Sequence, residues 1–165
     1  MSFLIINNLS VNYVMRKETV YAAKNVNIEV NKGEIIGLVG ESGSGKSTVG
    51  NAIIKLIDEP GKISNGSVIL DGVNIYEKEE NIEKYRGKKI GLIFQDPQTS
   101  LNPILTIGDQ LIETIQTHLK LNTNQSKEKA INLLNEVGIK DAEKRVDNYP
   151  HQFSGGMRQR VVISL

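Results

Sequence analysis

Nine consecutive residues, Gly40-Glu41-Ser42-Gly43-Ser44-Gly45-Lys46-Ser47-Thr48, restrict what this chain can fold into more than any other segment. Glycine populates left-handed dihedrals at no steric cost, so a stretch this rich in it can curl tightly. The stretch follows a continuous apolar run, Ile35-Ile36-Gly37-Leu38-Val39, which predicts a buried strand. It precedes Ser47 to Ile57, which reads as a helix ended by Asp58-Glu59-Pro60-Gly61. In a strand, glycine loop and helix so ordered, successive N–H groups converge on an anion at the positive end of the helix. The first eight of the nine residues, Gly40 to Ser47, fit G-x-x-x-x-G-K-[ST] at every position, and the segment through Thr48 is predicted to be a phosphate loop. In that reading Lys46 reaches the β- and γ-phosphates of a nucleotide, and the Ser47 hydroxyl coordinates Mg²⁺, a hard cation that prefers oxygen. The competing reading is a glycine-rich turn that binds nothing.

The surrounding sequence divides into two parts. Phe3 to Tyr13 and Val26 to Val30 alternate apolar and polar residues, as half-buried antiparallel strands do, and Asn31-Lys32-Gly33-Glu34 is a turn. Ser67 to Leu70 predicts another strand, closed by Asp71-Gly72, and Lys89 to Phe94 a further apolar strand. Helical spacing then takes over. Ile107, Leu111, Ile112, Ile115 and Leu119 share one face of a helix, with Thr106 and Asp109 forming a capping box at its start. Ala130, Ile131, Leu134 and Val137 mark a second amphipathic helix, stopped by Gly138. Ser154 caps a third that runs to the last residue. The expected domains are an α/β part over 1–95 and a helical part over 96–165. Ser154, Gly155 and Gly156 offer a second helix N-terminus to an anion, although taken alone they are equally an ordinary capped helix.

Composition removes other classes of chemistry. Without cysteine there is no disulfide, thiolate zinc site or cysteine nucleophile. The 20 basic and 19 acidic residues leave a net charge of +1, which calls for neither nucleic acid nor an anionic membrane surface. Lys84, Arg86, Lys88 and Lys89 form the one dense basic cluster, and no aromatics interleave with it as a stacking platform for bases would need. It reads as a solvated loop. The first eight residues carry neither the basic start nor the apolar core of a secretory signal, and no apolar run approaches the ~20 residues that span a bilayer. The expectation is a cytoplasmic chain.

The order of the phosphate loop, then Gln95 after a strand, then Ser154-Gly155-Gly156 before a helix resembles the ABC-transporter ATPases along nearly the whole chain. The resemblance implies an α/β P-loop NTPase core with an antiparallel β subdomain and a helical subdomain. Ser154-Gly155-Gly156-Met157-Arg158-Gln159 matches the family's signature motif, and Gln95 its Q-loop glutamine, a sensor of Mg²⁺ and attacking water. Tyr13, 27 residues before Gly40, stands where the family places an aromatic that stacks on adenine. A strand tyrosine packing on its sheet fits the same position. Ile93 to Pro103 and Tyr149 to Phe153, with Met157 in the signature, resemble the oligopeptide/dipeptide importer branch, which includes nickel importers.

That resemblance implies ATP and Mg²⁺ as cofactors. It also implies a second ATPase subunit, identical or not, closing head to tail so that Ser154, Gly155 and Gly156 meet the γ-phosphate held by the other. Membrane-spanning permease subunits, an external substrate-binding protein and a place on the inner face of the membrane belong to the same expectation. The family's Mg²⁺-binding Asp, catalytic Glu, loop Asp and switch His have no counterpart up to Leu165. The 165 residues alone are therefore expected to bind nucleotide more readily than they hydrolyse it. His118 reads as a surface residue of a helix, and His151 as structural. A nucleotide-binding module without turnover and a non-transport ABC ATPase acting on DNA or ribosomes are the alternatives. The 58 residues between Gln95 and Ser154 hold no long heptad run, which disfavours the DNA-maintenance type.

Overall fold

A computed structural model describes residues 2–77, 79–94 and 96–165. They form two compact units, Met1–Ile90 and Gly91–Leu165.

The first unit is built on a four-stranded antiparallel sheet in the order β2-β1-β3-β4. Its strands are β1 (Ser2–Val14), β2 (Thr19–Asn31), β3 (Gly61–Leu70) and β4 (Val73–Asn74). Helix α1 (Lys46–Ile53) lies between β2 and β3 in the chain, and α2 (Glu79–Tyr85) follows β4. Ile6, Leu9, Val11, Ala23, Val68 and Leu70 of the sheet pack with Val49 and Ala52 of α1 and Ile82 of α2. Strict alternation would put Ile6 and Leu9 on opposite faces. A bulge in β1 brings both inside: the register slips between Ile6 and Leu9, where Asn8 takes φ 49°. Asp71 and Gly72, at φ 50° and 81°, form a two-residue hairpin turn that starts β4.

Three expectations change. Ile35 to Val39 pairs with no strand among the described residues, and Ile35 and Val39 are 98% and 94% exposed. Apolarity marks these residues for burial, but a strand also needs a hydrogen-bonding neighbour, and the sheet ends at β2 without one. Among the described residues Lys89 to Phe94 pairs as a strand nowhere beyond the bridge between Arg86 and Ile90, and Leu92, Ile93 and Phe94 are exposed. Helix α1 ends at Ile53, short of Ile57. There Lys55 turns left-handed at φ 57°, its N–H donates to Ala52 O at 2.9 Å, and Leu56 N–H donates to Asn51 O at 2.8 Å. This pair of bonds closes the last turn.

Tyr76 reinforces that helix end by donating its hydroxyl to the Ala52 carbonyl, and burial pushes its phenol pKa up. Tyr76→Phe is expected to lower stability by about 1 kcal/mol near neutral pH. Below pH 10.0 the phenol is protonated in both states. Above that the unfolded phenol ionises while the folded one holds its proton, so this contribution is lost as pH rises. Urea melts from pH 8 to 11 should show the gap between wild type and Tyr76→Phe narrowing above pH 10.0.

The second unit is helical: α3 (Pro97–Ser100), α4 (Ile107–Leu119), α5 (Thr123–Glu136), α6 (Ala142–Arg145) and α7 (Gly155–Ser164), with a 3₁₀ turn at Pro150–Gln152. Its core gathers Ile107, Leu111 and Ile115 of α4, Ala130 and Leu134 of α5, and Phe153 and Val161. Thr106 and Asp109 form the expected capping box. Asn122 and Gln125 form a second one at α5. Helix α5 closes as α1 does: Gly138 at φ 76° donates to Asn135 O, and Ile139 N–H donates to Leu134 O, both at 2.9 Å. Gln110 is buried and ties the chain before α4, accepting from Asn102 N–H and donating to the Asn102 and Leu105 carbonyls.

Candidate functional site

The phosphate-loop residues gather at the head of α1. Gly43 and Gly45 take φ 81° and 90°, which glycine alone adopts without strain. Gly45 is the N-cap of α1, and its carbonyl accepts from Val49 N–H at 2.9 Å. Beneath it, β2 carries a bulge: Val11 pairs with Ala23 and Asn12 with Tyr21, leaving Ala22 as the extra residue. Gly45 seats on this bulge so closely that a Cβ there would stand 2.1 Å from the Ala22 carbonyl oxygen. At Gly40 a Cβ would meet Ser44 Oγ at 2.7 Å. The loop is thus a curl packed on a bulged strand, too tight for a side chain at Gly45, where the obstacle is backbone, while the Ser44 hydroxyl facing Gly40 can rotate away.

Lys46 turns back over the curl. Its ammonium donates to the carbonyls of Gly40 and Glu41 at 2.7 and 2.6 Å and lies 3.5 Å from Ser44 Oγ. Glu41 O also accepts from Ser44 N–H at 3.2 Å. A fixed positive charge therefore sits inside the loop, beside the helix N-terminus. Glu41, Ser42, Gly43, Ser44 and Ser47 are exposed, and Thr48 is half-buried.

Tyr13 belongs to the same unit. Its ring is half-buried near the end of β1, opposite Val20 of β2 and Gly61 of β3. A Cβ on Gly61 would meet the ring at 2.7 Å, so the sheet leaves room there for the tyrosine.

In the second unit, Ser154 caps α7 by accepting from Met157 N–H at 3.4 Å. Gly155 and Gly156 are exposed, neither has a positive φ, and a Cβ on either would meet nothing within 4 Å. Among the described residues, nothing inside this unit requires glycine at either position. His118 is exposed on α4, and His151 is exposed and stacked on Tyr149. Gln95 lies outside the described residues.

The basic cluster is a correction. Lys84, Lys88 and Lys89 are exposed, but Arg86 is half-buried and donates from Nε to Ile54 O and from its terminal nitrogen to Lys55 O, both at 2.9 Å. It holds the end of α1. An arginine among lysines carries no local sign of such a role, since the carbonyls it serves lie about thirty residues earlier in the chain.

A glycine curl on a lysine-bearing helix and an exposed Ser-Gly-Gly helix start, in this fold, define an ATP-binding cassette, and the chain belongs to the ABC transporter family, whose model matches residues 23–165. The oligopeptide transport ATP-binding protein OppD of Bacillus subtilis (strain 168) is 44% identical over 164 residues, which cover 98% of this chain and 46% of OppD. The dipeptide transport ATP-binding protein DppD of Escherichia coli (strain K12) is 42% identical over 166 residues, covering 100% of this chain and 51% of DppD. The chain thus spans about half the length of the curated relatives it matches. Among solved structures, the ATP-binding cassette MJ0796, captured as a dimer in a post-hydrolysis state with ADP and Pi, superposes with a TM-score of 0.84 at 30% identity. That superposition covers 98% of this chain and 67% of MJ0796. The fold is α/β, that of an ABC ATPase cassette, with the antiparallel sheet and the helical unit both present.

Proposed function

We propose that this chain is the nucleotide-binding portion of an ATP-hydrolysing subunit that drives uptake of oligopeptides or dipeptides. The observation that carries the reading is the curl of Gly40–Thr48 on the Ala22 bulge, with the Lys46 ammonium inside it. The residues present suit ATP. The curl supplies N–H groups and a helix N-terminus for the phosphates, and Lys46 supplies charge for the β- and γ-phosphoryl oxygens. Tyr13 offers a ring face for adenine. The Ser47 hydroxyl suits Mg²⁺, a hard cation that takes oxygen ligands and would share them with the nucleotide phosphates. Gln95 is assigned to Mg²⁺ and the attacking water, and Lys46 to stabilising the charge on the phosphates.

Ser154, Gly155 and Gly156 are assigned to the γ-phosphate held by a second ATPase subunit, identical or not, closing head to tail. Their open glycines support this, because the absent side chains leave room for a group arriving from outside. The dimeric state of MJ0796 and the transport descriptions of the relatives support the remaining partners: permease subunits in the membrane, which hold this subunit at its inner face, and an external binding protein that selects the peptide.

Calorimetric titration of the chain with ATP and Mg²⁺ tests the reading. Saturable binding is expected, weakened about 10–100-fold in Lys46→Ala, the range that loss of a charged hydrogen-bond donor produces. A circular-dichroism melt of the variant serves as its folding control. Equal affinity in both proteins, or no binding by a folded wild type, would remove the phosphate-loop assignment.

A further inference from the structure

Helix α1 is eight residues long, roughly 12 Å, so whatever holds its C-terminal end also aims the loop at its N-terminal end. Its end stands on two side chains from later in the unit. Tyr76 takes the Ala52 carbonyl, and Arg86 takes those of Ile54 and Lys55. Arg86 is itself firmly placed. Its N–H donates to Ile82 O at 3.0 Å at the end of α2. The turn after it closes on Tyr85 O, which accepts from the N–H groups of Lys88, Lys89 and Ile90, while Gly87 N–H donates to Ile90 O. Lys89 adds an ion pair with Asp71 at 3.9 Å. Past Ile90 the chain enters the second unit as an exposed segment without helix or strand. One guanidinium therefore joins the helix that carries the phosphate loop to the last fastened turn of the first unit.

We infer that Arg86 is a positioning residue for the nucleotide site: it fixes the tilt of α1, and so the loop, relative to the turn through which the chain leaves the first unit. The inference rests on the nucleotide reading above only for its effect on affinity. Its effect on the loop is independent of any ligand. A cation at a helix C-terminus also complements the helix dipole, so the contact is charge-assisted as well as two-pronged. Lysine can present one ammonium to these carbonyls but not a planar fork.

Arg86→Met keeps the aliphatic stem and removes the fork, and Arg86→Lys restores charge alone. Amide hydrogen exchange of the nucleotide-free chain is the first readout. Val49 N–H, bonded to Gly45 O, is expected to exchange about tenfold faster in Arg86→Met and by an intermediate factor in Arg86→Lys. The β1 and β3 amides around Ile6 and Val68 should stay within twofold of wild type. The second readout is ATP affinity, expected to fall about tenfold in Arg86→Met, with Lys46→Ala titrated alongside. Unchanged exchange at Val49 overturns the inference whatever the affinity does. Faster exchange spread evenly over the whole sheet also overturns it, because the role is then general stability. Faster Val49 exchange in Arg86→Met, with a wild type that binds no ATP, upholds the inference while rejecting the nucleotide reading.

Discussion

Gly45→Ala is expected to abolish measurable ATP binding while leaving the helices of the second unit folded. Two costs fall on the same atom. Position 45 has φ 90°, a left-handed value that strains any L residue, and the added Cβ would stand 2.1 Å from the carbonyl oxygen of Ala22. The obstacle is backbone, so no rotamer change relieves it. Either the curl lifts off the β2 bulge or the bulge itself moves. Together these cost about 3 kcal/mol or more. Lifting the curl draws away the first turn of α1, because Val49 N–H bonds to Gly45 O. It also displaces Lys46, whose ammonium depends on the carbonyls of Gly40 and Glu41. Gly43→Ala is the matched control: φ is 81°, but a Cβ there meets nothing within 4 Å. It should weaken binding by about tenfold, the cost of left-handed strain alone. Calorimetry on both variants separates clash from strain. Wild-type affinity in Gly45→Ala would show that the loop works without its seat on β2.

The contrast between these two glycines marks how far sequence alone reaches. Gly45 is a fixed position of the motif and Gly43 one of its free ones, but at both the need for positive φ is local and glycine announces it. That Gly45 rests on a bulge at Ala22 is not local. It depends on a register slip between β1 and β2, and alanine in a strand gives no sign of one. The same division runs through the rest of the molecule. Thr106 with Asp109, and Gly138 after Val137, are short-range signals, and the structure carries both. Ile35 to Val39 is legible as strand-forming by apolarity, yet strand pairing is a property of two segments, and among the described residues these stand exposed with no partner strand. Arg86 is the opposite case. Its surroundings suggest a solvated loop, but its guanidinium closes a helix far back in the chain. The signature glycines were legible as a helix start. Their exposure, with no internal demand for glycine, is what the structure adds to the case for an outside ligand.

Gly66→Ala is expected to be the most damaging single-methyl change to the sheet. Position 66 has φ 104°, and a Cβ there would meet Leu9 Cα at 2.5 Å and both Asn7 O and Leu9 N at 2.7 Å. All three neighbours are backbone atoms of the β1 bulge, lying where the β1–β3 register slips between Asn7 and Ser10. That bulge is what puts Ile6 and Leu9 into one core, at 1% and 0% exposure. Relief therefore comes only by separating β1 from β3 or by straightening the bulge. Straightening turns one apolar side chain out of the core, because a one-residue slip exchanges the two faces of a strand. The cost is about 3 kcal/mol or more, a large part of what holds a unit of this size together, and it corresponds to a fall in Tm on the order of 10 °C or more. Gly72→Ala is the control, with φ 81° at the β3–β4 turn and nothing within 4 Å of its Cβ. It should shift the melt by only a few degrees, as strain of about 1 kcal/mol does. Residue-resolved hydrogen exchange decides where the damage lies. In Gly66→Ala, protection should collapse across β1, β2 and β3 while α4 and α5 keep theirs, since their core is a separate cluster. A Gly66→Ala protein melting within a few degrees of wild type would mean that the β1 bulge yields freely and does not set the register of the sheet.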